Sequence, residues 1–142
     1  MAIKDTTKKP FIEDRDERVF IGIDSPFRKS DGPDGWFAGT EDTISSVKNN
    51  IRNLLQTHQG ERYLQPTLGM NLRKFLFETI TDETVLTIQN DIVDTFSFWL
   101  PFVEIQDIKV NFEDNKINLH VDFNIKQDPN TLESVDVTVE GE

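Results

Sequence analysis

The sequence predicts an α+β fold: three helices packed on one face of an antiparallel β-meander, with an N-terminal arm and loop ahead of them. Two periodicities and one boundary predict it. Between residues 41 and 98 apolar side chains recur every three to four positions, the helical period. After Pro101 they alternate every two, the strand period. Pro101 marks the change, because a residue before proline is pushed out of the α region. Helices first and strands afterwards suit an antiparallel sheet covered on one face.

Residues 1–18, MAIKDTTKKPFIEDRDER, offer only Ile3, Phe11 and Ile12 as larger apolar side chains. That is too little surface to offset ordering, so the segment reads as a mobile arm. Val19 to Ile23 is a short apolar run with strand character. Residues 24–40, DSPFRKSDGPDGWFAGT, hold two prolines and three glycines, which excludes a helix. Phe27, Trp36 and Phe37 in this loop either pin it to the core or anchor a partner. The chain therefore divides into an arm and aromatic loop, 1–38, and a domain, 39–142.

Residues 41–57 read as a helix, with Ile44, Val47, Ile51, Leu54 and Leu55 on one face. Thr40 is its expected N-cap, followed by Glu41 and Asp42 at the positive end of the dipole. Gly60 is the expected C′ residue. After a connector holding Pro66 and Gly69, residues 71–78 form a short helix with Leu72, Phe75, Leu76 and Phe77 inward. Thr81 or Asp82 caps a third helix over 82–98, with Val85, Ile88, Ile92 and Phe96 inward and Val93 alongside. Val103 and Ile105 then alternate in one phase, and Ile108, Val110 and Phe112 in the other, which places a bulge near Gln106-Asp107. A polar turn over 113–116 leads to the strand Ile117, Leu119, Val121, Phe123, Ile125. A second turn, 127–130 around Pro129, leads to Val135, Val137 and Val139.

Composition bounds the function. The chain has 142 residues, about one domain. Fifteen Lys and Arg against 26 Asp and Glu give a net charge of −11. This excludes nucleic acid, whose phosphates need clustered cations, and it excludes an anionic membrane surface. The charge is uneven: residues 1–40 carry seven basic and eight acidic side chains, and residues 41–142 carry eight and 18. There is no cysteine, hence no disulfide, thiolate metal site or Cys nucleophile. His58 and His120 are too few for a three-His zinc site. No P-loop, GxGxxG, HExxH or calcium-loop motif occurs, so neither cofactor nor metal is expected, and no small-molecule substrate. No apolar run approaches the ~18 residues of a membrane span, and the N-terminal residues lack the apolar stretch of a secretory signal. Among 26 acids some pair always meets a glycosidase spacing loosely, so carboxylates alone identify no active site. His120 falls on the outward face of its strand, and Glu61 reads as ordering the connector with Arg62. The chain is expected not to be an enzyme.

One segment is more distinctive. Ile51, Leu54, Leu55 and Thr57 lead into Gly60-Glu61-Arg62, then Pro66, Gly69, Leu72 and Leu76-Phe77-Glu78. Over roughly residues 40–126 the chain resembles the baseplate wedge family of contractile phage tails, the sheath initiators. Relatives of that family occur in the baseplates of type VI secretion systems, and members often carry the label lysozyme. The family usually has Glu-Pro-Arg after its long helix. Here Trp99 is followed by Leu100, Pro101 and Phe102, so only the proline is kept and the charged contact is not carried over: either the partner surface is apolar in step, or the junction faces the core.

The resemblance implies a structural subunit that joins the wedge core and templates sheath polymerisation by β-strand addition, in which an open sheet edge offers backbone N–H and C=O groups to another chain. The implied partners are other baseplate wedge proteins and tail sheath subunits, in multiple copies within a symmetric assembly. The implied location is the host cytoplasm during assembly and the virion tail baseplate afterwards. Candidate partner-binding residues are Trp99, Leu100, Pro101 and Phe102 at the junction, Val135, Val137 and Val139 on the C-terminal strand, and Trp36 and Phe37 in the loop. Gly60, Glu61, Arg62, Pro66, Gly69, Phe77 and Glu78 carry the family motif. Asp122, Glu133, Asp136 and Glu140 would keep an open edge soluble and favour basic partner patches. Two other classes remain open from the residues: a protein-binding adaptor of the same fold, and a glycoside hydrolase.

Overall fold

A computed structural model describes residues 22–24, 28–30, 37–40 and 42–141. The chain divides into two compact units, residues 1–50 and 51–142. The arm 1–18, the run 19–21, Phe27 and Trp36 lie outside the described residues.

In the first unit, β1 (Gly22–Ile23) pairs antiparallel with β2 (Gly39–Thr40). The Asp24 amide donates to the Ala38 carbonyl at 2.7 Å, the Ala38 amide donates to the Arg28 carbonyl at 2.9 Å, and Lys29 bridges Phe37. The end of the supposed loop is thus a strand. Backbone pairing with the apolar run 22–23 claims Thr40, and the N-cap passes to the next free acceptor. Asp42 Oδ1 accepts from the Ser45 amide at 2.6 Å, capping α1 (Thr43–Gln56). Along α1, Val47, Ile51, Leu54 and Leu55 are buried, as their spacing requires.

In the second unit, a 3₁₀ helix (Leu72–Phe77) and α2 (Asp82–Trp99) precede three strands: β3 (Val103–Glu113), β4 (Lys116–Ile125) and β5 (Asp128–Glu140). The sheet is antiparallel throughout, in the order β3-β4-β5. Among the described residues the protein is α+β, with three helices and a three-stranded meander, as expected. No helix among the described residues is long and apolar enough to cross a membrane.

One inward assignment changes, and one residue expected beside the buried stripe is exposed. Residues 72–77 wind as a 3₁₀ helix, whose period of three stacks Leu72 on Phe75 in the core. Phe77 then falls on the opposite side and is 77% exposed. On α2, Ile88, Ile92 and Phe96 form the buried stripe, while Val93 lies off it and is exposed. Thr81 caps this helix, its hydroxyl accepting from the Thr84 amide at 3.2 Å.

The sheet core is built in cross-strand rows: Ile108, Val121, Val135; then Val110, Leu119, Val137; then Phe112, Ile117, Val139. The register slips between Ile105 and Asp107, where the change of phase predicts a bulge. Asp114 and Asn115 take positive φ, 29° and 66°, as a two-residue hairpin turn of the right twist requires. The second turn is shorter than expected. β5 starts at Asp128 and takes Pro129 into the strand, which an outer strand tolerates because the missing amide need not reach a neighbour.

Candidate functional site

The Gly60-Glu61-Arg62 motif closes a connector onto the end of α1. Gly60 is not the helix C′ residue. α1 ends at Gln56, and the Gly60 amide donates instead to the Pro66 carbonyl at 2.8 Å, with φ +93°. Glu61 and Arg62 act on separate partners. Glu61 Oε2 accepts from the His58 amide at 3.1 Å, and Arg62 donates to Asn53 Oδ1 at 2.9 Å. Gly69 seals the other end at φ +105°. A Cβ there would lie 2.2 Å from the Thr57 carbonyl oxygen, which accepts from the Met70 amide at 2.9 Å. Glu78 follows the 3₁₀ helix, its amide donating to the Phe75 carbonyl. Of these motif residues Gly69 is buried and the others lie at the surface, where Phe77 is the large apolar one.

At the α2–β3 junction, Leu100 is 8% exposed and belongs to the core, whereas Pro101 and Phe102 face out. The Val103 amide donates to the Leu100 carbonyl at 3.0 Å, closing a turn with Pro101 at its preferred second position. Trp99 is half-buried and meets Phe98 edge-on, centroids 5.0 Å apart. Of the four junction residues, the exposed apolar surface is therefore mainly Phe102. Phe37 is exposed in the first unit.

The sheet has two outer strands, and they differ. Antiparallel pairs alternate between those that exchange hydrogen bonds and those that do not. The Gly141 amide donates to the Asn115 carbonyl at 3.1 Å, which sets the phase. Stepping by two along the register, Val139, Val137 and Val135 bond to Ile117, Leu119 and Val121. The three candidate valines thus give their backbone to β4 and their side chains to the core. The backbone groups of Ser134, Asp136, Thr138 and Glu140 point the other way, and among the described residues no strand pairs with them.

The β3 edge is blunted. The same alternation turns the Ile108 backbone away from β4. Its carbonyl accepts from Gln89 Nε2 on α2 at 2.8 Å, and its amide donates to Asp107 Oδ1 at 2.9 Å. The bulge at Gln106 interrupts this edge further.

Side chains on the outer face clamp β5 to β4. Lys116 donates to Glu140 Oε1 at 2.6 Å. His120 lies 2.5 Å from Asp136 Oδ1 through Nδ1 and 3.1 Å from Asp122 Oδ1 through Nε2. The hydrogen bond to Asp136 raises the His120 pKa, with desolvation opposing; the charges of Asp136 and Asp122 raise it further and Lys109 lowers it. Among the described residues no group of three or more His, Asp or Glu side chains is arranged to hold a metal ion.

Residues 41–130 match the family model of the baseplate wedge protein gp25. The chain is 23% identical over 94 residues to the baseplate wedge protein gp25 of Enterobacteria phage T4, covering 65% of this chain and 71% of that protein. Its fold is similar to that of a Geobacter sulfurreducens protein provisionally named a tail lysozyme, with a TM-score of 0.62 at 19% identity, over 71% of this chain and 94% of that one. It is also similar to a chain of the anti-feeding prophage baseplate, with a TM-score of 0.55 at 24% identity, over 83% of this chain and 82% of that one.

Proposed function

The chain belongs to the baseplate wedge protein family, and we propose that it is a structural subunit of a contractile-tail baseplate that joins the wedge core and templates sheath polymerisation by β-strand addition. The observation that carries the templating role is the asymmetry of the sheet. One edge is bulged and tied to α2, and the other keeps a regular register from Glu133 to Glu140 with its alternate backbone groups turned outward. Such an edge is the acceptor that strand addition needs. Asp136 and Glu140 stand along it, charges of the kind that guard an open edge before its partner arrives.

The junction supplies the second contact. Phe102 presents apolar surface where the family's motif would carry its arginine, so the wedge protein meeting this corner offers an apolar face. The partners are thus other wedge proteins and sheath subunits, with several copies in a symmetric baseplate, assembled in the host cytoplasm and retained in the virion tail. Hydrolysis is not part of this role. Glu61, the carboxylate in the most distinctive context, binds the His58 amide and orders the connector.

Copurification with sibling wedge proteins and sheath subunits tests the reading. Wild type is expected to bind both. Thr138→Pro is expected to keep wedge binding and lose sheath binding. Failure of the folded wild-type protein to bind either partner overturns the proposal.

A further inference from the structure

A groove of about 600 Å³ runs along the inner side of the open edge, between Gln56 and Arg73 on one wall and residues 138–141 on the other. Val139 points to this side of the sheet. A strand added to β5 would lie about 4.8 Å beyond it, and its inward side chains near Val139 would project over the groove.

Arg73 is half-buried there, and among the described residues it has no ion-pair partner. Glu140, the acidic residue among those lining the same groove, has its carboxylate engaged by Lys116 across the outer face at 2.6 Å. A guanidinium presents a planar fork that matches a carboxylate with two parallel hydrogen bonds. In a chain of net charge −11, this cation beside an acidic edge gives the two faces of the docking strand opposite requirements.

We infer that Arg73 sets the charge specificity of the β5 edge by pairing with a carboxylate carried on the inward face of the added strand, an inference that rests on the strand-addition reading above. The same strand carries basic side chains on its outward face, opposite Asp136 and Glu140. The partner is therefore an extended segment with an acid turned toward the helices and bases turned away from them.

The test measures binding of purified sheath subunit to the full chain at low and high salt. Arg73→Gln is expected to weaken binding about tenfold at low salt and to flatten its salt dependence, the size and signature of one charge-assisted pair. Arg73→Lys is expected to keep the salt dependence but recover only part of the affinity, because an ammonium carries the charge without the fork. Arg73→Glu is expected to lose more, and replacing the facing sheath carboxylate by Lys is expected to restore it. Thermal melts check that each variant stays folded. If Arg73→Gln and Arg73→Glu bind as wild type while Thr138→Pro does not bind, strand addition stands and the role of Arg73 is overturned. If folded Thr138→Pro binds as wild type, the edge reading falls and takes the Arg73 pairing with it.

Discussion

The amide of Gly141 donates to the carbonyl of Asn115 at 3.1 Å, and this one bond fixes the hydrogen-bonding phase of the β4–β5 ladder. Neighbouring residues of β5 consequently differ in what a proline does. Val137→Pro removes an amide bonded to Leu119 and is expected to cost about 3 kcal/mol. Thr138→Pro removes an outward amide and is expected to cost under about 1 kcal/mol. Urea unfolding of the two variants checks this; equal losses would show the phase to be wrong.

The two left-handed glycines of the connector are unequal. At Gly60 a Cβ meets nothing within 4 Å, so Gly60→Ala carries only the backbone strain, about 1 kcal/mol. At Gly69 the same methyl lies 2.2 Å from the Thr57 carbonyl, a backbone atom that cannot move aside. Gly69→Ala is expected to cost at least about 3 kcal/mol, with a correspondingly larger fall in the urea midpoint.

Helix capping gives a paired prediction. Asp42→Ala and Thr81→Ala each remove an acceptor from a first-turn amide and are expected to cost about 1 kcal/mol. Thr40→Val is expected to be neutral or stabilising, because among the described residues the buried Thr40 hydroxyl has no hydrogen-bond partner. Thermal melts of the three variants distinguish Asp42 from Thr40 as the cap of α1.

His120 makes stability depend on pH. Its folded pKa is raised by Asp136 above the ordinary value of about 6.5, so protonation favours the folded state. The stabilisation is full below about pH 6.5 and fades as pH rises through the higher folded value. Wild type is therefore expected to gain thermal stability relative to His120→Gln as pH falls from 8.5 to 6. A difference that is flat across this range would remove the pair from the account.

What the sequence revealed follows from what is periodic. The stripes Ile51, Leu54, Leu55 and Ile88, Ile92, Phe96, and the alternation from Ile117 to Ile125, are set by local geometry, and they fold as they read. The bulge at Gln106 was legible because it shifts an apolar phase. Phe77 was not, since a 3₁₀ and an α turn differ over six residues only in which side the last one reaches. Nor was the cap of α1, because pairing between distant residues 22–23 and 39–40 decides that Thr40 is strand. The edge was half legible. An outer C-terminal strand could be named, but which of its residues face outward depends on the register with β4, which no local pattern in β5 encodes.

Amide hydrogen exchange, resolved by residue, tests the central claim most directly. In the free protein the amides of Val135, Val137 and Val139 are expected to be protected and those of Ser134, Asp136, Thr138 and Glu140 to exchange fast. On binding sheath subunits, the second set is expected to become protected while the first stays so. A sheath complex that forms with those four amides still exchanging freely would contradict strand addition at β5.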